Sequence, residues 1–236
     1  MSGALNPIAV AAAENVASLA AHLTEIRRPA AGSDQAQAEL ADALYRLSVH
    51  GASLVYDPPR LYETIDAVYA AMTDAMEPDA VFGGMLSIAT GFTATRRASE
   101  AETRNAIAIE RLASRLALRE IGYVLPAIDL DNTERAETIR RQVFELFLAE
   151  SDAAAATHDD VGFAALIELA HRILDDLDNR AAQLPSLTTF QTHRPVNAIT
   201  LAHQLYADAE RNLEIVARTG ARNPAFMPML GRVLDR

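Results

Sequence analysis

The sequence predicts a mostly α-helical protein, with a multi-helix body over residues 1–183 and a small C-terminal βααβ module over residues 184–236. Three observations predict it. Alanine is frequent and clustered, and Ala loses no side-chain entropy in a helix. Apolar residues before Leu184 recur at three- and four-residue steps, the spacing of one helical face. After Leu184-Pro185 the texture shifts to a β-prone run, Leu187-Thr-Thr-Phe-Gln-Thr192.

The first helix is expected over Pro7–Ile26, with Pro7 suited to a first turn and Pro29-Ala-Ala-Gly32 ending it. Ser33 is placed to cap a second helix, which Gly51 should stop after His50. Its apolar face would use Leu40, Leu44, Leu47 and Val49. Asp57-Pro58-Pro59 opens a third helix with Leu61, Ile65, Val68 and Met72 on one stripe. Pro78 separates it from an apolar helix beginning near Asp79. Gly83, Gly84 and Gly91 lie in or beside that helix, where close packing or a kink is the expected reason for their cost. A longer helix is expected over Ser99–Ile121, with Ile109, Leu112, Leu116 and Arg119 at helical spacing and Gly122 and Pro126 behind them.

Asp131-Asn-Thr-Glu134 has the form of a capping box and should open a helix through Phe144, Phe147 and Leu148. Ser151–His158 reads as a loop or frayed end. The clearest amphipathic element is Asp159–Gln183, where Phe163, Leu166, Ile167, Ala170, Ile173, Leu174, Leu177 and Ala181 share a face. Beyond the threonine-rich strand, short helices are expected near Val196–Tyr206 and Ala209–Arg218, with Asp208 capping the second. Met229–Leu234 closes the module as a strand. Strand, helix, helix, strand within some fifty residues is the order of a LysM-like module.

Composition narrows the function classes. The chain has 236 residues, half of them hydrophobic, enough for one good core or a larger domain with a small module. Its formal net charge is -11, and all 21 basic residues are Arg. Such a balance disfavours sequence-independent DNA binding, which needs a positive surface. The basic pairs are short: Arg27-Arg28, Arg96-Arg97 and Arg140-Arg141. No cysteine is present, so disulfides, thiolate catalysis and Cys-based zinc sites are excluded. No stretch reaches the roughly 20 apolar residues of a membrane helix, and Met1–Pro7 lacks the basic start of a secretory signal. The expected place of synthesis is a reducing cytoplasm.

Two stretches carry a resemblance. The first is Asn179-Arg180-Ala-Ala-Gln-Leu184-Pro185-Ser-Leu187. The second is Leu201-Ala-His-Gln-Leu205-Tyr206-Ala-Asp208-Ala-Glu-Arg211, which continues through Glu214-Ile215-Val216-Ala-Arg218 to Arg222-Asn223-Pro224-Ala-Phe226-Met-Pro228 and Leu234. They resemble the C-terminal part of the Mu-like prophage family of DNA circularisation proteins. That family shows an A-x-x-L-P motif, an L-x-Y-x-L-Y-G-D-A run and an R-x-x-H-P-G-F-x-P turn. Here Ala207 stands for the glycine of the run, and Asn223-Pro224-Ala225-Phe226 for the turn. The motif-level likeness covers about the last quarter of the chain. The β-rich N-terminal domain usual in the family has no counterpart before the helices. Either another polypeptide encodes it, or only the helical and LysM-like parts are kept.

The resemblance implies a phage tail or baseplate structural protein, found in the virion and assembled in symmetric copies with tube, hub or wedge proteins. The family's name comes from a proposed role in joining DNA ends, which the charge of this chain sets aside. The expected partner-binding residues are Leu205, Tyr206, Asp208, Arg211, Arg218, Arg222 and Phe226. The competing assignment for Leu201, Leu205, Tyr206, Leu213, Ile215, Val216 and Phe226 is the module's own core. Two aromatics, Tyr206 and Phe226, suit an interface best because they offer large contact area.

No catalytic, cofactor-binding or metal-binding set is expected. His158-Asp159-Asp160 are adjacent at a helix start, where the aspartates suit capping better than convergence on an ion. His193 and His203 lack the i, i+4 spacing of a helical metal pair. Asp129-Leu-Asp131-Asn-Thr-Glu134 fails the calcium-loop pattern, with Glu134 where glycine is required and Arg140 where glutamate is. Asp175, Asp176 and Asp178 read as a solvated helix face. The expected function is therefore non-catalytic assembly, with a peptidoglycan-binding LysM protein and a DNA-end-binding protein as the alternatives.

Overall fold

The computed structural model describes residues 6–26, 32–97 and 99–235. Pro29–Ala31, Arg27-Arg28 and Arg236 lie outside them. The described residues are mostly helical, with one small two-stranded antiparallel sheet. They fall into two compact units, one from Met1–Ile128 with Val143–Ile173, the other from Asp129–Gln142 with Leu174–Arg236. The second unit therefore takes in more chain than the segment that begins at Leu184.

Five helices form most of the first unit. Helix α1 (Pro7–Ile26) starts where Asn6 accepts a hydrogen bond from the Ile8 amide, and it buries Val16, Leu19 and Leu23. Helix α2 (Asp34–Leu54) is capped by Ser33, whose Oγ accepts from the Ala36 amide at 3.2 Å. It continues through Gly51 instead of stopping there. A Cβ on Gly51 would come within 2.8 Å of the Val16 side chain, so this glycine serves the approach of α2 to α1. Helix α3 (Pro58–Ala75) opens at the two prolines behind Asp57 and buries the predicted stripe of Leu61, Ile65, Val68 and Met72.

Helix α4 (Pro78–Gly91) contains all three glycines of its apolar run. Gly84 meets the Ile26 side chain of α1, which explains it as close packing. Gly83 and Gly91 face open space, and packing does not account for them. Helix α5 (Glu100–Val124), capped by Ser99, packs against α1, α3 and α4 through Ile109, Ala113, Leu116, Ala117 and Ile121. The extended stretch before it is pinned by buried Asn15. Its Nδ2 donates to the Thr95 carbonyl at 3.2 Å, and its Oδ1 accepts from the Thr95 amide at 2.7 Å.

Helices α6 (Thr133–Ala156) and α7 (Asp160–Ala181) each contribute residues to both units. Asn132 caps α6 by accepting from the Arg135 amide at 2.9 Å, displacing the expected reciprocal box of Asp131 and Glu134. The loop expected over Ser151–His158 is a correction. Helix α6 runs on to Ala156, because the alanine run favours helix and Ser151 and Ala154 are buried. The chain turns only at Thr157-His158, with His158 at φ 55°.

In the second unit, strand β1 (Leu187–Gln191) pairs antiparallel with β2 (Leu230–Leu234), Leu187 opposite Leu234 and Gln191 opposite Leu230. Helices α8 (Ala198–Tyr206) and α9 (Asn212–Thr219) come between them in the chain. Phe190, Leu201, Ala202, Tyr206, Ile215, Met227 and Val233 form one buried cluster. Phe190 lies directly across from Gly231, and a Cβ there would meet its ring at 2.7 Å.

Helix α8 ends in a left-handed residue, Ala207 at φ 56°, which is the position where the resemblance expects glycine. A left-handed alanine costs roughly 1–2 kcal/mol, and the looser unfolded chain of a glycine variant returns about 0.4–1 kcal/mol of that. Ala207→Gly is therefore expected to stabilise the protein by about 0.5 kcal/mol, measured by urea denaturation. Ala225 stands in for the other family glycine and is not at positive φ, so Ala225→Gly gives no such gain. Equal shifts from the two variants would contradict this account.

Candidate functional site

The seven residues expected to bind a partner divide sharply by burial and pairing. Tyr206, at the end of α8, is buried in the second unit's cluster. The Arg211 guanidinium stacks over its ring, with Cζ 3.6 Å from the centroid. Arg211 also grips Glu214 with two bonds, Nε to Oε2 at 2.8 Å and Nη2 to Oε1 at 3.1 Å. Arg218, one turn along α9, donates to the same carboxylate at 3.2 Å and to Asp131 Oδ2 at 3.2 Å. Tyr206, Arg211, Glu214, Arg218 and Asp131 thus form one chain of contacts that fastens α9 to the 129–142 segment. Leu205 is half-buried against the same cluster. These residues hold the unit together.

Asp208 does not cap α9. Its carboxylate accepts from the Glu210 amide at 2.9 Å, and α9 begins only at Asn212 behind Arg211. It shapes the turn after the left-handed Ala207. Arg222 and Phe226 remain outside the network, both exposed, with Phe226 69 % accessible. Among the described residues Arg222 has no carboxylate partner. A fixed loop carries Phe226: the Phe226 amide donates to Asn223 O at 3.0 Å and the Met227 amide to Val196 O at 2.9 Å. Leu213 is exposed too, whereas Leu201 and Ile215 are core and Val216 is packed against it.

The electrostatics follow from this pairing. Arg211 holds the Glu214 carboxyl below the usual glutamate range; burial opposes it and Arg218 assists. Burial raises the Tyr206 phenol, helped by Glu214. A carboxyl with a lowered folded-state pKa contributes stability that is complete above its unfolded value, about 4.3, and lost as pH falls through the folded value. Unfolding of the second unit is therefore expected to become easier below roughly pH 4.5. Glu214→Gln should flatten that acid limb in a urea-denaturation series; an unchanged limb would assign it to other groups.

Two further polar clusters lie in the first unit, and sequence reasoning missed both. Glu120 on α5 is 3 % exposed and accepts from Thr73 Oγ1 at 3.0 Å and from Arg119 Nη2 at 2.6 Å. Arg119 also pairs with Asp66 of α3, and Tyr69 donates to the Ala113 carbonyl at 3.1 Å. Burial works against the Arg119 charge, but Asp66 and Glu120 outweigh it and raise its pKa. The second cluster joins Arg115 to Glu150 at 2.9 Å and to Asp159 at 2.7 Å. Asp159 also accepts from the Gly162 amide, so it caps α7 as expected. The clue for the first cluster was the adjacent pair Arg119-Glu120 on an apolar stripe. Every charge in these clusters is matched by a partner, which makes them supports for the helix packing.

The grooves of the first unit are open. One of about 520 Å3 is lined by Arg104, Ile107, Arg111, Leu112 and Arg115, with Arg111 donating to Thr157. Another, of about 360 Å3, sets His22 3.5 Å from Ser87 beside Glu25 and Asp79. Among the described residues no group of three or more His, Asp or Glu is placed to hold a metal ion. None of their helices is long and apolar enough to cross a membrane.

No known family model matches this chain, and no curated protein matches it. The residues themselves carry the functional argument. His193 is exposed at the edge of the Phe226 loop, and His203 lies on the exposed side of α8. Asp175, Asp176 and Asp178 line a solvated face of α7, Asp178 paired with Arg140 at 2.6 Å.

Proposed function

We propose that the protein is a structural component of a phage tail baseplate or hub, assembling with its neighbours through the second unit. The observation that carries this reading is a hydrogen-bonded loop that presents Phe226 to solvent together with Arg222, which has no carboxylate partner among the described residues. An exposed aromatic beside an arginine is the composition of an interface anchor. The strand, helix, helix, strand order of residues 187–234 supports a LysM-like docking module, and the C-terminal motifs support the tail family. In this reading the first unit is a helical spacer braced by its two matched clusters around Arg119 and Arg115, and the chain resides in the virion.

Deleting the gene from the phage that encodes it is expected to leave heads without functional tails. Normal titres of infectious particles would contradict the reading. Phe226→Ala removes an exposed ring, so folding stability should change by less than about 0.5 kcal/mol. Incorporation of the variant into particles should nevertheless fall severalfold, read by quantitative mass spectrometry of purified virions. Full incorporation would move the docking surface elsewhere.

A further inference from the structure

Segments 187–199 and 222–234 lie side by side along their whole length. The β1–β2 pairing joins one end. Beyond it the Thr192 amide donates to Met229 O at 2.7 Å, Met227 to Val196 O at 2.9 Å and Ala198 to Pro224 O at 2.7 Å. Neither segment contains an Asp or Glu, and together they carry Arg194, Arg222 and Arg232. Ile199, Phe226, Met229 and Leu230 are exposed on the same ribbon. Arg232 pairs with Glu134, whereas Arg194 and Arg222 have no carboxylate partner among the described residues.

The rest of the chain has the opposite sign. Residues assigned to the first unit include 21 Asp and Glu against 11 Arg, a net charge of -10 out of the total of -11. The second unit has 11 against 10. Charge is thus segregated between a strongly acidic body and a ribbon with no acid at all.

We propose that this ribbon docks onto the acidic first unit of a second copy of the same chain, head to tail. The proposal rests on the reading of the second unit as a docking module. Two ribbons facing each other across a two-fold axis would bring like charges together, which disfavours a symmetric dimer through this face. Against the first unit of another copy the signs are complementary, and Phe226 with its aliphatic neighbours supplies apolar area to bury. A nucleic acid would match the ribbon but be repelled by the net charge of -10 on the same molecule. Contacts of this head-to-tail kind build rings where the rotation closes and filaments where it does not.

Sedimentation velocity of the full chain across a concentration series tests it. The wild type is expected to self-associate at low ionic strength, with affinity weakened about tenfold or more when salt shortens the Debye length to a few ångströms. Arg222→Glu with Phe226→Ala should be monomeric with an unchanged circular-dichroism spectrum. Its acidic body is intact, so a labelled sample of this double variant should still form a 1:1 complex with wild type. Three results would overturn the proposal: a wild type that stays monomeric, a double variant that cannot bind wild type, or ribbon-dependent binding of mixed-sequence duplex DNA. A monomeric protein that is still built into particles overturns this proposal alone and leaves the tail assignment standing.

Discussion

Arg119→Ala is expected to destabilise the protein by about 3–5 kcal/mol, the cost of leaving one buried charge without its partner. Glu120 is almost completely enclosed between α3 and α5, and Arg119 supplies the positive charge that makes this tolerable. Without it, only the Thr73 hydroxyl would still donate to the carboxylate, and Asp66 would lose the same guanidinium. The penalty comes from the stranded charge more than from the lost attraction. A second substitution that removes the charge should therefore recover much of the loss: Arg119→Ala with Glu120→Leu is expected to be more stable than Arg119→Ala alone. Urea denaturation followed by circular dichroism measures both. A single-variant loss below about 1 kcal/mol would show that water reaches Glu120 and that the pair is a surface one.

The other large effect is local to the second unit. Phe190→Ala empties the centre of a small cluster, for which about 3–5 kcal/mol is the usual loss. Phe190 lies between the sheet and the two short helices, and Gly231 opposite it is bare so that the ring fits. Met227 and Val233 of the same cluster are tied by backbone pairing to Val196 and to β1, which limits how far they can move into the space. Hydrogen exchange should show protection lost first at the amides of β1, β2 and the 196–198 segment, while amides of α3 and α5 keep theirs. Uniform loss throughout the chain would mean that the cluster carries no stability of its own.

How much of this was legible in the sequence depends on the range of the interaction. Capping by Ser33, the start at Pro58 and the threonine-rich strand are local signals, and the structure has them where the chain reads them. The α7 segment is a helix as its spacing reads, with Leu166, Ala170, Ile173 and Leu177 buried but Phe163 and Ile167 of the same expected face exposed. Gly51 was misleading because its role is set by Val16, thirty-five positions away in the chain. The alanine run after Ser151 was ambiguous until burial decided it for helix. The same limit applies to the candidate site. Tyr206 and Phe226 look alike as aromatics in a short module, and only tertiary packing makes one core and leaves the other exposed. Arg211 and Arg218 look available in the sequence because Glu214 and Asp131 reach them only through the turn of α9 and a segment about ninety residues earlier. The absence of acids from 187–199 and 222–234 was visible all along, but its meaning needs the pairing that makes one ribbon of two segments.

The central claim is that the chain is part of a phage tail and docks there through the loop around Phe226. Amine-directed cross-linkers are of little use on a chain without lysine. The direct measurement is a photoreactive benzoyl-phenylalanine placed at position 226, with assembled particles irradiated and the adducts identified by mass spectrometry. The account predicts that the chain is present in purified particles and that position 226 cross-links to a tail or baseplate component, a second copy of the chain included. Particles that lack the chain, or that contain it with position 226 cross-linking to nothing, would contradict it.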